Sequence, residues 1–180
     1  DVWNAATGEP LLSLPPQSEL FLGVHWSPEG DRLLACVRLR KAVIWNASSG
    51  ELLTEFRDQN YFLGAWSPDG TRVALVDQFS LGGPVRVWDA STGEAVLTLL
   101  PEDFPHGTAG VAWSPDGARI VTFSVDGLGR LWDAETGELL ASFPTPGNCM
   151  VAEWSPSGTR IQVGYLSGVH VWDAESLEKV

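Results

Sequence analysis

The sequence predicts an all-β fold assembled from repeated four-stranded antiparallel units. Three observations carry that reading. All nine tryptophans fall into two interleaved series of similar period. The residues flanking each tryptophan repeat with it. No segment sustains the helical apolar period, so helix content is expected near zero.

The first series is Trp3, Trp45, Trp88, Trp132 and Trp172, at steps of 42, 43, 44 and 40 residues. Its surroundings read WNAATGE, WNASSGE, WDASTGE, WDAETGE and WDAESLE. The second series is Trp26, Trp66, Trp113 and Trp154, at steps of 40, 47 and 41, and reads WSPEGDR, WSPDGTR, WSPDGAR and WSPSGTR. The unit ending near Phe143 illustrates the elements, labelled a to d. Gly110 to Trp113 is a short apolar strand a. Ser114 to Gly117 is a turn, with Pro fixing φ and Gly permitting a positive one. Arg119 to Phe123 is the β-branched strand b, and Val125 to Gly127 holds an Asp-Gly hairpin signal. Leu128 to Trp132 is strand c, Asp133 to Gly137 a second turn, and Glu138 to Phe143 strand d.

Four-stranded units of about 40–45 residues are the signature of a β-propeller. One such sheet cannot bury either face alone, so neighbouring blades stack around an axis. Tryptophans closing strands a and c are expected to fill the gaps between blades, each burying roughly 150–250 Å². The chain then reads as one propeller region over 1–180: a strand d at 9–15, blades at 19–57, 59–100 and 108–144, and strands a to c of a last blade at 148–173. Adding the first d to the last a–c makes about four blades. Part of a larger propeller, a half-ring paired with a second copy, and a closed four-blade ring all fit this layout. The first is preferred, and the absence of a methionine at position 1 points the same way.

The pairing of W-S-P-D-G with V-W-D-A-x-T-G-E resembles the WD-repeat (WD40-type) β-propeller family, from end to end of the chain. The resemblance implies a non-catalytic scaffold for macromolecular partners. The family often joins a Gly-His pair, a b–c turn Asp and a Ser or Thr to the strand-c Trp in a buried network. Here Asp126 alone holds the Asp position; Leu39, Gly82 and Leu166 stand at its equivalents, and no repeat has Gly-His. The network is therefore expected in one blade at most, as in a divergent, bacterial-type array.

Composition excludes several classes. With 11 basic and 23 acidic residues the net charge is −12, which argues against a nucleic-acid partner. No apolar run reaches membrane-spanning length, so no membrane partner is expected. Cys36 and Cys149 cannot make a disulfide framework and fit a reducing, cytoplasmic setting. His25, His106 and His170 lack metal-ligand spacing, and no nucleophile elbow or phosphate loop is present. No enzyme activity, metal or cofactor is expected.

The a–b and c–d turns share one rim and hold 14 of the 23 acids, so turn chemistry explains most of the charge. Arg32, Arg72, Arg119 and Arg160, two residues after each a–b glycine, are expected to pair locally with those acids. The opposite rim carries loops of varying length, where recognition usually sits. Its candidate partner-binding residues are Arg38, Arg40, Lys41, Phe79, Phe104 and His106. His25 and Glu153 precede strand-a tryptophans where other repeats have Ala65 and Ala112, and are expected to reach water in a central channel. The expected function is a protein- or peptide-binding scaffold within a larger protein, with self-association through open blade edges. A second reading is an accessory propeller that docks or gates substrate for a hydrolase or a periplasmic translocation system.

Overall fold

The computed structural model describes residues 1–14, 21–37, 41–57, 61–77, 83–100, 107–147, 149, 151–165 and 168–180. Seventeen strands are present among them, and no helix. β1 (Val2–Trp3) and β2 (Pro10–Leu12) form a two-stranded sheet. The first full blade is β3 (Phe21–Trp26), β4 (Arg32–Val37), β5 (Lys41–Asn46) and β6 (Leu52–Arg57). The second is β7 (Tyr61–Trp66), β8 (Arg72–Asp77), β9 (Val85–Asp89) and β10 (Ala95–Leu99). The third is β11 (Thr108–Trp113), β12 (Arg119–Ser124), β13 (Leu128–Asp133) and β14 (Leu139–Pro144). A three-stranded sheet follows: β15 (Val151–Trp154), β16 (Arg160–Tyr165) and β17 (Gly168–Asp173).

Every blade is an antiparallel meander. Strand a starts earlier in the third blade than its apolar run suggests, because Thr108 pairs with Ser124 past a bulge. The bulge recurs at Phe21/Gly23 and Tyr61/Leu63. A second lies between strands c and d at Ile44/Trp45 and Leu131/Trp132. Bulges sharpen strand twist, which a fanned stack of short blades requires.

The core lies between the blades rather than within any one of them. Side chains alternate along a strand, so each strand b supplies both faces of its sheet. Leu34 and Cys36 pack forward against Tyr61, Trp66 and Leu75 of the second blade. Ala35 and Val37 pack backward with Val43, Trp45 and Leu14. The second and third blades share Ala74, Val76, Val87, Leu99, Val111, Trp113 and Trp132. The third and last sheets share Phe123, Phe143, Ile161, Val163 and Trp172. Each sheet thus meets the next in sequence, giving an arc with the a strands on its inner side.

Most of the tryptophans fill these gaps as expected, and two do not. Trp45, Trp66, Trp113, Trp132 and Trp172 are buried. Trp3 and Trp26 are 56% and 52% exposed. The reason is directional. A strand-a tryptophan packs on the blade before it: Trp66 donates its indole N–H to the His25 carbonyl at 3.3 Å. The sheet that precedes Trp26 in the chain is the two-stranded β1–β2, which among the described residues offers no counterpart of the strand-a and strand-b surface that Trp66 packs on.

A candidate interaction surface

The rim formed by the a–b and c–d turns is built by one hydrogen-bond pattern repeated along the chain. In each c–d turn the residue after tryptophan caps two backbone amides. Asp89 Oδ1 accepts from the N–H groups of Ser91 and Thr92 at 2.9 and 2.8 Å. Asp133 Oδ1 accepts from Glu135 and Thr136 at 2.9 and 2.8 Å, and Asp173 from Glu175 and Ser176 at 3.0 and 2.9 Å. Asn46 and Asn4 do the same with amide oxygens. In each a–b turn the serine hydroxyl accepts from the arginine N–H five residues on. Those distances are 3.1 Å for Arg32, 2.9 Å for Arg72 and Arg119, and 3.0 Å for Arg160.

These bonds set the acidity of the rim. The Ser67 and Ser114 hydroxyls, at 2.6 and 2.5 Å, hold the Asp69 and Asp116 carboxyls below the usual range, and Ser27 does so for Asp31. The Ser91 hydroxyl, with the Thr92 and Ser91 amides, brings Asp89 down to about 2. Backbone donors from Thr136 and Ser176 lead the same shift at Asp133 and Asp173. These aspartates are therefore carboxylates with one oxygen, Oδ1, engaged by their own turns.

The arginines pair locally by charge, as expected, since Arg72, Arg119 and Arg160 help to hold Asp69, Asp116 and Asp173 down, but that is only part of their role. Arg32 pairs directly, reaching Glu29 at 3.2 Å and Asp31 at 3.3 Å. It also lies over the Trp66 ring of the second blade, 4.9 Å from the centroid. Arg72 donates from Nη1 to the Ala134 carbonyl of the third blade at 3.1 Å. Arg119 donates from Nη1 to the Ala174 carbonyl at 3.2 Å and covers the Trp154 ring at 4.9 Å. These side chains tie each blade to the next. An exposed surface ion pair contributes little, whereas a cation over an indole contributes about 0.5–2 kcal/mol. The constant spacing from tryptophan to arginine was the signal in the sequence; its destination in the next repeat was not.

On the inner side, the a strands of all four sheets line one concavity of about 530 Å³. His25, Ala65, Ala112 and Glu153 all stand on it. Glu153 accepts from Gln162 Nε2 at 2.8 Å. Burial lowers the His25 pKa, so its imidazole is neutral at physiological pH. The cysteine thiols are equally quiet: burial pushes Cys36 up to about 12 and Cys149 up to about 11.

In the third blade the motif's residues form two buried sets of side-chain bonds, one on Trp132 and one on Asp126. Trp132 Nε1 donates to Thr122 Oγ1 at 2.9 Å. Arg130 Nη1 donates to Ser124 Oγ at 2.9 Å, and Nη2 to Asp126 Oδ2 at 2.7 Å. Asp126 also caps the Leu128 amide at 2.9 Å. The Asp partner here is Arg130, two residues before the strand-c tryptophan. Ala35, Leu75 and Val163 replace Thr122 in the other sheets, so their tryptophans have no hydroxyl there.

The opposite rim carries the b–c and d–a connections. Lys41 opens β5 there and is half-buried. Arg38, Arg40, Phe79, Phe104 and His106 lie outside the described residues.

Comparison with known proteins decides the family. The family model described as eukaryotic translation initiation factor eIF2A matches residues 12–130, well over half of the chain. The chain belongs to this family of WD-type propeller domains. Relatives of this WD-type chain include a WD repeat-containing protein of Deinococcus radiodurans, 26% identical over 147 residues. That match covers 67% of this chain and 55% of the relative. Eukaryotic translation initiation factor 3 subunit I of Emericella nidulans is 26% identical over 174 residues, covering 87% of this chain and 50% of that protein. A chain in the crystal structure of the mitotic checkpoint complex superposes with a TM-score of 0.83 at 19% identity, over 99% of this chain and 55% of that one. The likeness is one of fold. The WD-type chain spans about half the length of the curated relatives it matches.

Proposed function

We propose that this WD-type chain is a propeller module of a larger protein and binds protein or peptide partners without catalysis. The observation that carries the reading is the contrast between the two rims. One rim repeats the same capped turn along the chain, with one carboxylate oxygen of each capping aspartate held by its own turn. The other joins the same strands through connections that differ in length and sequence. A regular scaffold presenting variable loops is the arrangement of a recognition module. The chemistry supports the same reading. Both thiols are held protonated, and His25 is desolvated rather than poised beside a carboxylate. One relative is named as a subunit of initiation factor 3, and a chain of the same fold occurs in the mitotic checkpoint complex. The reading includes a cytoplasmic setting, supported by two buried, unbridged cysteines.

The test is affinity capture with cross-linking, comparing the native chain with two loop variants. One carries Arg38→Ala, Arg40→Ala and Lys41→Ala; the other carries Phe79→Ala and Phe104→Ala. A specific partner lost in either variant, with the melting temperature unchanged, is the expected result. Capture that survives in both variants assigns recognition to another surface and overturns the proposal.

A further inference from the structure

Strand d carries a bulge at the same place in each of the three four-stranded blades. Ile44 pairs with Thr54 and Trp45 with Leu52, so Leu53 stands unpaired. Val87 pairs with Leu97 and Trp88 with Ala95, which leaves Val96. Leu131 pairs with Ala141 and Trp132 with Leu139, which leaves Leu140. A bulge re-aims the side chain of its extra residue. Each extra residue here is a large aliphatic, and each is exposed: Leu53 by 44%, Val96 by 42% and Leu140 by 48%. Leu52 and Leu139 beside them are exposed as well. Further along the same strands Phe56, Leu99 and Phe143 are buried, so the exposure is confined to the bulge. Isolated exposed aliphatics are ordinary, whereas a set at one unpaired position of successive blades forms a surface.

The three bulges follow one another along the outer side of the arc. Strand d of one blade touches the c–d turn of the next: a Cβ on Gly93 would stand 3.1 Å from Thr54, and one on Gly137 3.6 Å from Leu97. A glutamate follows each of these turn glycines. Glu51, Glu94 and Glu138 are exposed, and among the described residues their carboxylates take no ion pair or hydrogen bond. Acid and aliphatic therefore alternate along the strip, in the order Glu51, Leu53, Glu94, Val96, Glu138, Leu140.

We propose that this strip docks an amphipathic helix of a partner protein, apolar on one face and flanked by lysine or arginine. Charge selects the flanks. The strip offers three uncompensated carboxylates in a chain of net charge −12, so a basic partner gains what an acidic one, or an anionic lipid surface, would lose. Spacing selects the helix. Face-to-face sheets lie about 10 Å apart. A helix brings residues i and i+7 to one face about 10.5 Å apart, matching that step. An extended segment covers the same distance in about three residues, and residues three apart point to opposite faces. Leu53, Val96 and Leu140 thus meet positions i, i+7 and i+14 of one helix. None of these residues lies on the loop rim, so this site and the loops are tested separately.

Fluorescence anisotropy tests this with a labelled helical peptide of about 20 residues, long enough for three such steps. The probe carries leucine at i, i+7 and i+14 and lysine on both flanks. It is expected to bind the native chain. Two triple variants should each weaken binding by about tenfold or more, the effect of removing interface anchors. One is Leu53→Ser, Val96→Ser and Leu140→Ser; the other is Glu51→Gln, Glu94→Gln and Glu138→Gln. Every substituted side chain is exposed, so both variants keep the fold, which circular dichroism and a cooperative melt verify. Val125→Ser removes an aliphatic that is 50% exposed on the opposite rim and should leave binding unchanged. No binding to the native chain overturns the proposal. Equal affinity for the serine variant does so too, since it reduces binding to bare charge attraction, as does equal binding of a probe broken by a central proline. Self-association of the native chain lost in the serine variant assigns the strip to a second copy, and capture by phosphatidylserine vesicles lost in it assigns the strip to a membrane; either result also overturns the proposal.

Discussion

Leu177 has a φ of 57°, where the other four c–d turns carry Gly8, Gly50, Gly93 and Gly137 at φ between 71° and 76°. The left-handed region costs an ordinary side chain roughly 1–2 kcal/mol. Leu177 tolerates it because its side chain packs on the cluster between the third and last sheets. Gly137 offers a cleaner measurement. A Cβ there meets only Leu97 and Leu99, at an ordinary 3.6 Å, so Gly137→Ala isolates backbone strain. The expected loss is about 1 kcal/mol of unfolding free energy by urea titration. Gly129 is needed for a different reason: a Cβ would stand 2.5 Å from the Phe143 ring lying across it. The turn glycines were legible from spacing alone. The close approach of Phe143 was not, because it depends on which side chain the neighbouring strand places opposite.

At the scale of the element, the strand-c tryptophans share a sequence position but not a bonding pattern. Trp132 donates to Thr122 inside the third blade. Trp88 Nε1 is buried without a partner among the described residues. Removing one partner of a buried bond costs about 1–3 kcal/mol, whereas removing an unpaired donor relieves a desolvation penalty. Trp132→Phe is therefore expected to destabilise the fold by more than Trp88→Phe, by about 1 kcal/mol or more in paired chemical melts. Equal losses would mean that Thr122 contributes nothing. The contrast follows from strand b, where Thr122 faces Trp132 but Ala35, Leu75 and Val163 take the equivalent place. The single Asp126 marked the third blade in advance. Its pairing with Arg130 became visible only once strand c set the two side chains 2.7 Å apart.

For the whole molecule, the repeated turns couple stability to pH. Asp31, Asp69, Asp89, Asp116, Asp133 and Asp173 all titrate below their ordinary value in the folded chain, since turn hydroxyls and amides bond the charged form. A carboxyl depressed by folding stabilises the fold above its unfolded pKa, and that contribution is lost as pH falls through the folded value. The melting temperature should thus hold down to about pH 4, the ordinary aspartate range, and fall steeply toward Asp89 at about 2. Differential scanning calorimetry from pH 7 to pH 2 reads this directly. A flat profile would show that the turn bonds persist when the acids are protonated.

The sequence by itself determined the repeat, the strands, the turn chemistry and the positions of the tryptophans, because each is set by bonds within about ten residues. It also placed arginine at a fixed distance after each strand-a tryptophan. Only the tertiary structure decided where those arginines go and which tryptophans stay uncovered. Both answers depend on contacts between repeats some 40 residues apart: Trp26 and Trp66 occupy equivalent positions, yet one is exposed and the other buried. The physical reason is that a repeat defines both halves of a junction locally, while burial of either half requires the neighbouring blade.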